Sequence, residues 1–353
     1  MKAIAGIAIR AICAAVPTKV ARTQEYEYLS PEDRLRFQKA TGIAERRISP
    51  TTQYASDLCA AAANRAIEHL GWERNSINAL ILITQTSDQP IPATSIVLQD
   101  KLGLPQTCLA FDVNLGCSAY PYGLAIVGSM MQSLGLNRAL LLMGDVSSRV
   151  CAIHDKSAWP LFGDAGSATA LELKEGAPPM HFDLMSDGSG KDAIIVPGGG
   201  LASRRPPGIG PNTEEVGADG ISRRPENLVL RGADIFSFAI AKAAPSIKRV
   251  LDAAEKASSD VDFLLLHQAN RMINDTITKK SGFIQEKAIS TLENYGNTSS
   301  ASIPLTLCAH ADKFDRDRLV ISCGFGVGLS WASSTLTIPE GAVLPVVETD
   351  DAY

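Results

Sequence analysis

The apolar run Leu109–Val113 ends in Asn114-Leu115-Gly116-Cys117-Ser118 and gives way to a helix of small residues. A second run, 264–266, ends in His267-Gln268-Ala269-Asn270 before another helical pattern. Short apolar runs bounded by turn residues, each followed by a segment of helical period, are buried strands. Similar runs at 79–84, 139–143 and 319–322 keep the alternation going along the chain. The order is therefore α/β and not α+β. Ser56 is expected to cap a helix through Leu58, Ala62, Ala66 and His69, with Gly71 stopping it, and a further helix covers 235–254.

With 353 residues the chain is long enough for two similar halves, 1–174 and 175–353, meeting at the Lys174-Glu175-Gly176-Ala177-Pro178-Pro179 connector. No strict sequence repeat supports this; the duplication rests on element order alone. Between Gly188 and Pro225 the composition turns to Gly, Pro and Arg, including Arg pairs starting at Arg204 and Arg223. That stretch reads as a surface excursion, either a structural loop or a flap over a substrate. The tail beyond Pro339 is expected to be peripheral.

A net charge of −5, with 45% hydrophobic and 20% charged residues, lacks the basic excess of nucleic-acid binding. An acidic protein partner would need a local basic patch. The seven cysteines are odd in number and without CxxC spacing, so neither a disulfide framework nor a thiolate metal site is indicated. The N-terminal run is broken by Lys2 and Arg10 and reads as a strand, not a signal peptide, and no stretch has transmembrane length without a charge. A reducing cytoplasm is the expected compartment, with no membrane partner.

A cysteine at the start of a helix has backbone N–H groups and the positive end of the dipole nearby, which favour thiolate and would make Cys117 reactive. Pro121 is expected to loosen the first turn. His267 emerges at the carboxyl edge of a sheet, where α/β proteins place ligand sites. Asn297 lies in a Tyr-Gly-Asn-Thr turn. Each residue alone has a plain structural reading as a buried thiol, a core histidine or a turn asparagine. Together, a thiol with imidazole and carboxamide donors fits acyl transfer followed by stabilisation of an enolate or oxyanion. Gly324-Phe325-Gly326-Val327-Gly328 lacks GxGxxG spacing, so a nucleotide reading is poor. It is either a tight hairpin or a source of backbone donors forming an oxyanion hole with the Cys117 amide.

These motifs occur in the order Asn114-Leu115-Gly116-Cys117-Ser118-Ala119, Phe162-Gly163-Asp164-Ala165-Gly166-Ser167-Ala168, His267-Gln268-Ala269-Asn270, Gly296-Asn297-Thr298-Ser299 and Gly324-Phe325-Gly326. With Thr41-Gly42-Ile43 and Pro92-Ala93, the chain resembles the β-ketoacyl-acyl carrier protein synthase III family of the thiolase superfamily up to about residue 336. The resemblance implies an α/β thiolase-like fold of two pseudo-repeated halves in five αβαβα layers, and a homodimer. Cys117 matches the acylated nucleophile, and His267 and Asn297 the pair that binds the malonyl thioester carbonyl. Phe325 matches the aromatic beside the malonyl carboxylate, and Gly326 and Val327 belong to the same pocket. The implied substrates are an acyl-coenzyme A or other acyl thioester and malonyl-acyl carrier protein, with no metal and no further cofactor.

Several positions depart from the pattern. Arg36 and Ala40 stand where the family usually carries a Trp and an Arg that clamp coenzyme A, whereas Lys156 matches a second cationic position of that clamp. Ile91 stands where many members place a Phe at the partner subunit's end of the acyl tunnel, a change expected to admit longer or branched acyl chains. Arg271 falls one position before the usual carrier-protein contact. Two alternatives stay open: acyl transfer to an alcohol or amine without decarboxylation, and a non-catalytic partner subunit of the same fold. The papain-like order Cys, His, Asn is rejected, because Gly-Cys-Ser-Ala-Tyr does not match the Cys-Gly-Ser-Cys-Trp of those proteases.

Overall fold

The computed structural model describes residues 2–200, 214–217 and 219–352. Two mixed sheets organise it. The first has the order β17 (Val347–Glu348), β2 (Ile7–Val16), β8 (Ala165–Leu173), β7 (Arg138–Asp145), β5 (Ala79–Ile83) and β6 (Leu109–Val113). The second runs β1 (Lys2–Ile4), β9 (Met180–Ser186), β16 (Ser330–Ile338), β15 (Arg318–Gly326) and β14 (Phe263–Leu266).

The two sheets share an order and a polarity. In the first, β2 and β8 are antiparallel, as are β8 and β7, while β7, β5 and β6 are parallel. In the second, β9 and β16 are antiparallel, as are β16 and β15, and β15 and β14 are parallel. Where the first sheet ends in β6, the second has a single parallel bridge from Leu264 to Ala288. The terminal strands cross over, since β1 pairs with β9 and β17 with β2. The 174–179 connector joins β8 in one sheet to β9 in the other.

Helices α2 (Ala55–Leu70) and α3 (Thr94–Lys101) cover the outer face of the first sheet, and α5 (Gly232–Ala253) packs on that of the second, with α6 (Arg271–Lys280) against it. Between the sheets lie α4 (Ala119–Leu134) and α8 (Ser302–Ala309), giving the five-layered thiolase-like arrangement. Because both faces of the first sheet are covered, its interior strand β5, Ala-Leu-Ile-Leu-Ile, is apolar without alternation. In β5, Ile81 and Ile83 join the central core while Leu80 and Leu82 pack with the α2 side. The short helices α1 (Pro31–Thr41) and α7 (Leu292–Tyr295) flank these layers, with the ribbons β3 (Val20–Arg22) with β4 (Glu45–Arg47), β10 (Ile194–Ile195) with β13 (Val229–Leu230), and β11 (Glu215–Val216) with β12 (Ser222–Arg223).

Local expectations are corrected at five places. Helix α2 starts at Ala55 with Tyr54 as its cap: the Asp57 carboxylate accepts from the Tyr54 N–H, and the Ser56 hydroxyl is engaged by Asp88 at 2.6 Å. Helix α4 is regular from Ala119, because Pro121 lies in the first turn, where a missing N–H leaves no helical bond unmade. The strand read as 319–322 extends to Gly326, so the glycines belong to a strand end and the hairpin turns at 327–329. The tail is woven into the first sheet: Val343 bridges Ile12, Leu344 is buried, and β17 pairs with β2. Within the Gly/Pro/Arg stretch Arg223 is buried and paired with Asp155 at 2.7 Å, whereas the pair at 204–205 lies outside the described residues.

Candidate active site

The nucleophile turn sits between β6 and α4. The Ala119 N–H donates to the Gly116 carbonyl at 2.8 Å, and Ser118 is the N-cap residue of α4. The end of β15 presses against this turn closely enough to exclude side chains. A Cβ on Gly324 would come within 2.5 Å of the Cys117 carbonyl oxygen, and one on Gly326, where φ is 157°, within 2.6 Å of the Cys117 Sγ. The glycines are therefore a steric requirement of the approach. That approach brings the Val327 N–H onto the Cys117 sulfur, beside the residue's own amide.

Cys117 is 9% exposed. Burial pushes its thiol up to about 11, with Asp145 adding to the rise and the two amides opposing it. The expectation of a resting thiolate is corrected: desolvation of the charged form outweighs two backbone donors. At neutral pH the group is a thiol with donors already aimed at its sulfur.

His267 leaves β14 with its N–H bonded to the Cys323 carbonyl at 2.9 Å. Its ring is buried, stands edge-on to Phe325 with centroids 5.7 Å apart, and places Nδ1 2.7 Å from the Ser302 Oγ. Burial lowers its pKa to about 3, against a smaller opposing bond to the Ser299 backbone. The imidazole is neutral and hydrogen-bonding at physiological pH.

Asn297 is held by the other half of the chain. Its N–H donates to the Leu161 carbonyl at 2.9 Å, and the Gly163 N–H donates to its carbonyl at 3.0 Å, a parallel bridge between Phe162 and Asn297. Gly163 and Gly296 permit this contact: a Cβ on Gly163 would strike the Tyr295 carbonyl, and one on Gly296 would come within 2.7 Å of the Leu161 carbonyl. The neighbouring Asp164 is buried and accepts from the Ser49 N–H, the Ser148 N–H and the Ser148 hydroxyl, which pins the segment. The side-chain Oδ1 of Asn297 accepts from the Ser299 N–H at 2.9 Å, leaving Nδ2 as a donor.

One cavity of about 360 Å³ is lined by Cys117, His267, Asn297, Phe325, Gly326 and Val327, with Lys156 also on its wall. Its remaining surface is mainly apolar, with Val150, Leu161, Ile194, Leu228, Leu230 and Ile235 among the contributors. The excursion beginning at Gly188 thus supplies part of the wall. Two expected site residues lie elsewhere. Ile91 is 83% exposed on the surface, and Arg271, also exposed, opens α6 beside Gly42 on a separate small pocket.

Sequence reasoning missed Phe37, Ser302 and Asp145. Phe37 lines the cavity from α1, while the neighbouring Arg36 turns outward to pair with Glu32. Helical spacing with Thr41, four residues on and on the same wall, was the available signal. Asp145 is fully buried: Oδ1 accepts from the Thr84 hydroxyl, the Gln85 N–H and the Thr86 hydroxyl, and Oδ2 from the Ser300 N–H and hydroxyl. No local pattern in the sequence reveals that bridge.

Among the described residues, no helix is long and apolar enough to cross a membrane. Comparison with known proteins places these features in a family. Residues 111–188 match 3-oxoacyl-[acyl-carrier-protein (ACP)] synthase III, and residues 251–338 match the C-terminal part of the same synthase. The chain is 32% identical over 333 residues to a β-ketoacyl-[acyl-carrier-protein] synthase III of Erythrobacter litoralis, covering 93% of this chain and 98% of that one. The corresponding Acidiphilium cryptum protein is 31% identical over 305 residues, 85% of this chain and 89% of that one. A crystal structure of a 3-oxoacyl-(acyl-carrier protein) synthase from Burkholderia xenovorans superposes with a TM-score of 0.90 at 34% identity, over 99% of this chain and 98% of that chain. This chain belongs to the 3-oxoacyl-[acyl-carrier-protein] synthase III family.

Proposed function

We propose that the protein condenses an acyl group with a malonyl thioester in two steps, and that Cys117, His267 and Asn297 carry the chemistry. The observation that supports this reading is that all three line one cavity although 150 and 180 residues of chain separate the second and third from the first. In the first step the Cys117 sulfur bonds to the carbonyl carbon of an acyl thioester and the carbon–sulfur bond to the donor breaks. The Cys117 proton ends on the departing thiol. The Cys117 and Val327 amides, already at the sulfur, are placed to hold the oxyanion of the tetrahedral intermediate.

In the second step the malonyl carboxylate leaves as carbon dioxide. The electron pair of the broken carbon–carbon bond passes to an enolate, whose oxygen accepts from Asn297 Nδ2 and from His267 Nε2. This role assigns the imidazole proton to Nε2, with the Ser302 hydroxyl donating to Nδ1. Phe325, on the same wall, keeps the carboxylate poorly solvated, which favours its loss as a neutral gas. The enolate carbon then bonds to the acyl carbon, the bond to Cys117 breaks, its thiolate takes up a proton from solvent, and a 3-oxoacyl product leaves.

The donor is a coenzyme A or carrier-protein thioester, with Lys156 at the exposed rim to meet phosphate and Arg271 on the carrier-protein side. The working unit is a homodimer, for which the exposed apolar Ile91 is a natural contact, and the chain divides into halves 1–174 and 175–353. Fatty-acid synthesis in the cytoplasm is the setting this reading implies.

Intact-protein mass measurement after mixing with acyl-coenzyme A should show one acyl adduct that Cys117→Ala lacks. Malonyl-acyl carrier protein should then discharge it with stoichiometric carbon dioxide. Discharge without carbon dioxide would refute condensation in favour of transfer to an alcohol or amine.

The raised thiol sets a pH signature. Because only the thiolate attacks and its pKa is pushed up to about 11, alkylation of Cys117 by iodoacetamide should accelerate about tenfold per pH unit below that value. A plateau near neutral pH would show that the thiolate is already formed there.

A further inference from the structure

Three parallel strands deliver their carboxyl ends to one side of the cavity. In the β5 register Ile83 lies beside Val113 of β6 and Met143 of β7, so 84–86, 114–117 and 145–147 emerge together. Two of the polar side chains delivered there, Gln85 and Ser147, share the wall with Cys117. Gln85 reaches the turn itself: a Cβ on Gly116 would strike its Oε1. Its Nε2 faces the Asn114 Oδ1 at 3.3 Å, which leaves Oε1 as the free acceptor. Ser147 is 6% exposed, and its hydroxyl has no hydrogen-bond partner among the described residues.

Most other polar side chains on this wall differ, Lys156 and Ser299 excepted. Thr41, Thr86, Ser157 and Asn270 are each engaged by protein groups, and the free hydroxyl of Ser299 belongs to the Asn297 turn. The Ser147 hydroxyl opens onto the cavity and is not among the fully enclosed polar atoms left without a partner, so a ligand group that bonds it displaces solvent and gains the modest net worth of one hydrogen bond.

The backbone that carries the pair is fixed, while the Gln85 side chain itself is exposed. Asp145 accepts from the Gln85 N–H at 2.7 Å, and the Thr86 hydroxyl accepts from the Val146 N–H at 2.9 Å, which fixes the two loops against each other. The same carboxylate binds Ser300, so the pair is referenced to the turn that carries Asn297. Asp145 is fully buried and is not on the cavity wall, whereas the cationic side chain of Lys156 is, so no acidic side chain on this wall draws an ammonium group. The free groups offer an acceptor from Gln85 and both roles from Ser147. A hydroxyl on the acyl chain can donate to the first and accept from the second.

We propose that Gln85 and Ser147 are specificity-determining residues that select an acyl donor carrying a hydroxyl near its thioester end over the plain alkyl homologue. This deepens the condensing reading and rests on it. The acyl-transfer step is unchanged: the carbon–sulfur bond to Cys117 forms, that to the donor breaks, and the proton leaves on the donor thiol.

The test compares Cys117 acylation by butyryl-coenzyme A with that by its 2-, 3- and 4-hydroxy analogues, read as kcat/KM by intact mass and coenzyme A release. At least one hydroxy isomer should exceed butyryl by about tenfold, the upper end of what one net hydrogen bond on a partly open wall supplies. Gln85→Leu and Ser147→Ala should each lower that ratio severalfold, and Gln85→Asn serves as the conservative control if Leu impairs folding. Butyryl reacting as fast as every hydroxy isomer, or ratios unmoved in the variants, overturns the proposal while leaving the condensing reading standing. No adduct on Cys117 from any donor overturns both.

Discussion

His267→Ala and Asn297→Ala are each expected to slow condensation by about 10²–10³-fold while Cys117 still takes an acyl group. The split follows from where the charge develops. Acylation places its oxyanion against the Cys117 and Val327 amides, which neither substitution touches. Decarboxylation places its enolate against the two side-chain donors, and in a buried site a missing donor is not replaced by bulk water. Asn297→Asp separates the two functions of this residue: it keeps the acceptor for the Ser299 N–H but loses Nδ2. Its turn should survive, and its condensation should fail as severely as in the alanine variant. Carbon dioxide release from malonyl-acyl carrier protein, alongside acyl-adduct mass, reads both steps. Condensation within a few-fold of wild type, or equal loss of both steps, would remove these residues from the proposed role.

Asp145→Ala should be the most destabilising single substitution near the site, by roughly 3–5 kcal/mol. Its carboxylate is fully buried and collects five donors, from Thr84, Gln85, Thr86 and twice from Ser300. Removing it leaves those donors in a dry interior with no partner. Asp145→Asn keeps one acceptor oxygen and should cost substantially less. Urea unfolding midpoints, with acyl-adduct formation on the surviving protein, measure the effect. An Asp145→Ala midpoint indistinguishable from wild type would show that the donors find other partners.

The elements themselves were legible in the chain. Leu109–Val113 matches the strand read from sequence, because a short, mainly apolar run between turn residues suits a strand covered on both faces, with Asp112 used to accept from the first N–H groups of α3. Gly71 ends α2 in a left-handed conformation, as its position implied. Element starts were less legible. Ser56 looked like a cap, but helix α2 starts with a carboxylate at Asp57 bonding back to Tyr54, and the competing partner of Ser56, Asp88, is remote in sequence. The tail after Pro339 looked loose because its few apolar residues, Ala342 to Leu344, give no periodic signal. They are buried because β2 offers them an edge.

The turns that carry Cys117, His267 and Asn297 were readable in the sequence, since turn chemistry and strand ends are local properties, whereas the roles proposed for them came from the family resemblance. What surrounds those turns was not readable. The state of the Cys117 thiol was misread, because a helix N-terminus is visible in sequence whereas the depth of burial that outweighs it is produced by β15 closing over the turn. Likewise Asn297 takes its position from Leu161 and Gly163 of the other half, and Gln85 and Ser147 reach one cavity wall only because β5 and β7 lie side by side. Sequence determined which segments are strands, helices and reactive turns, because those follow from local period and backbone chemistry. Tertiary structure alone decided which side chains share a cavity and in what protonation state, because distance and desolvation are set by the packing of the two sheets.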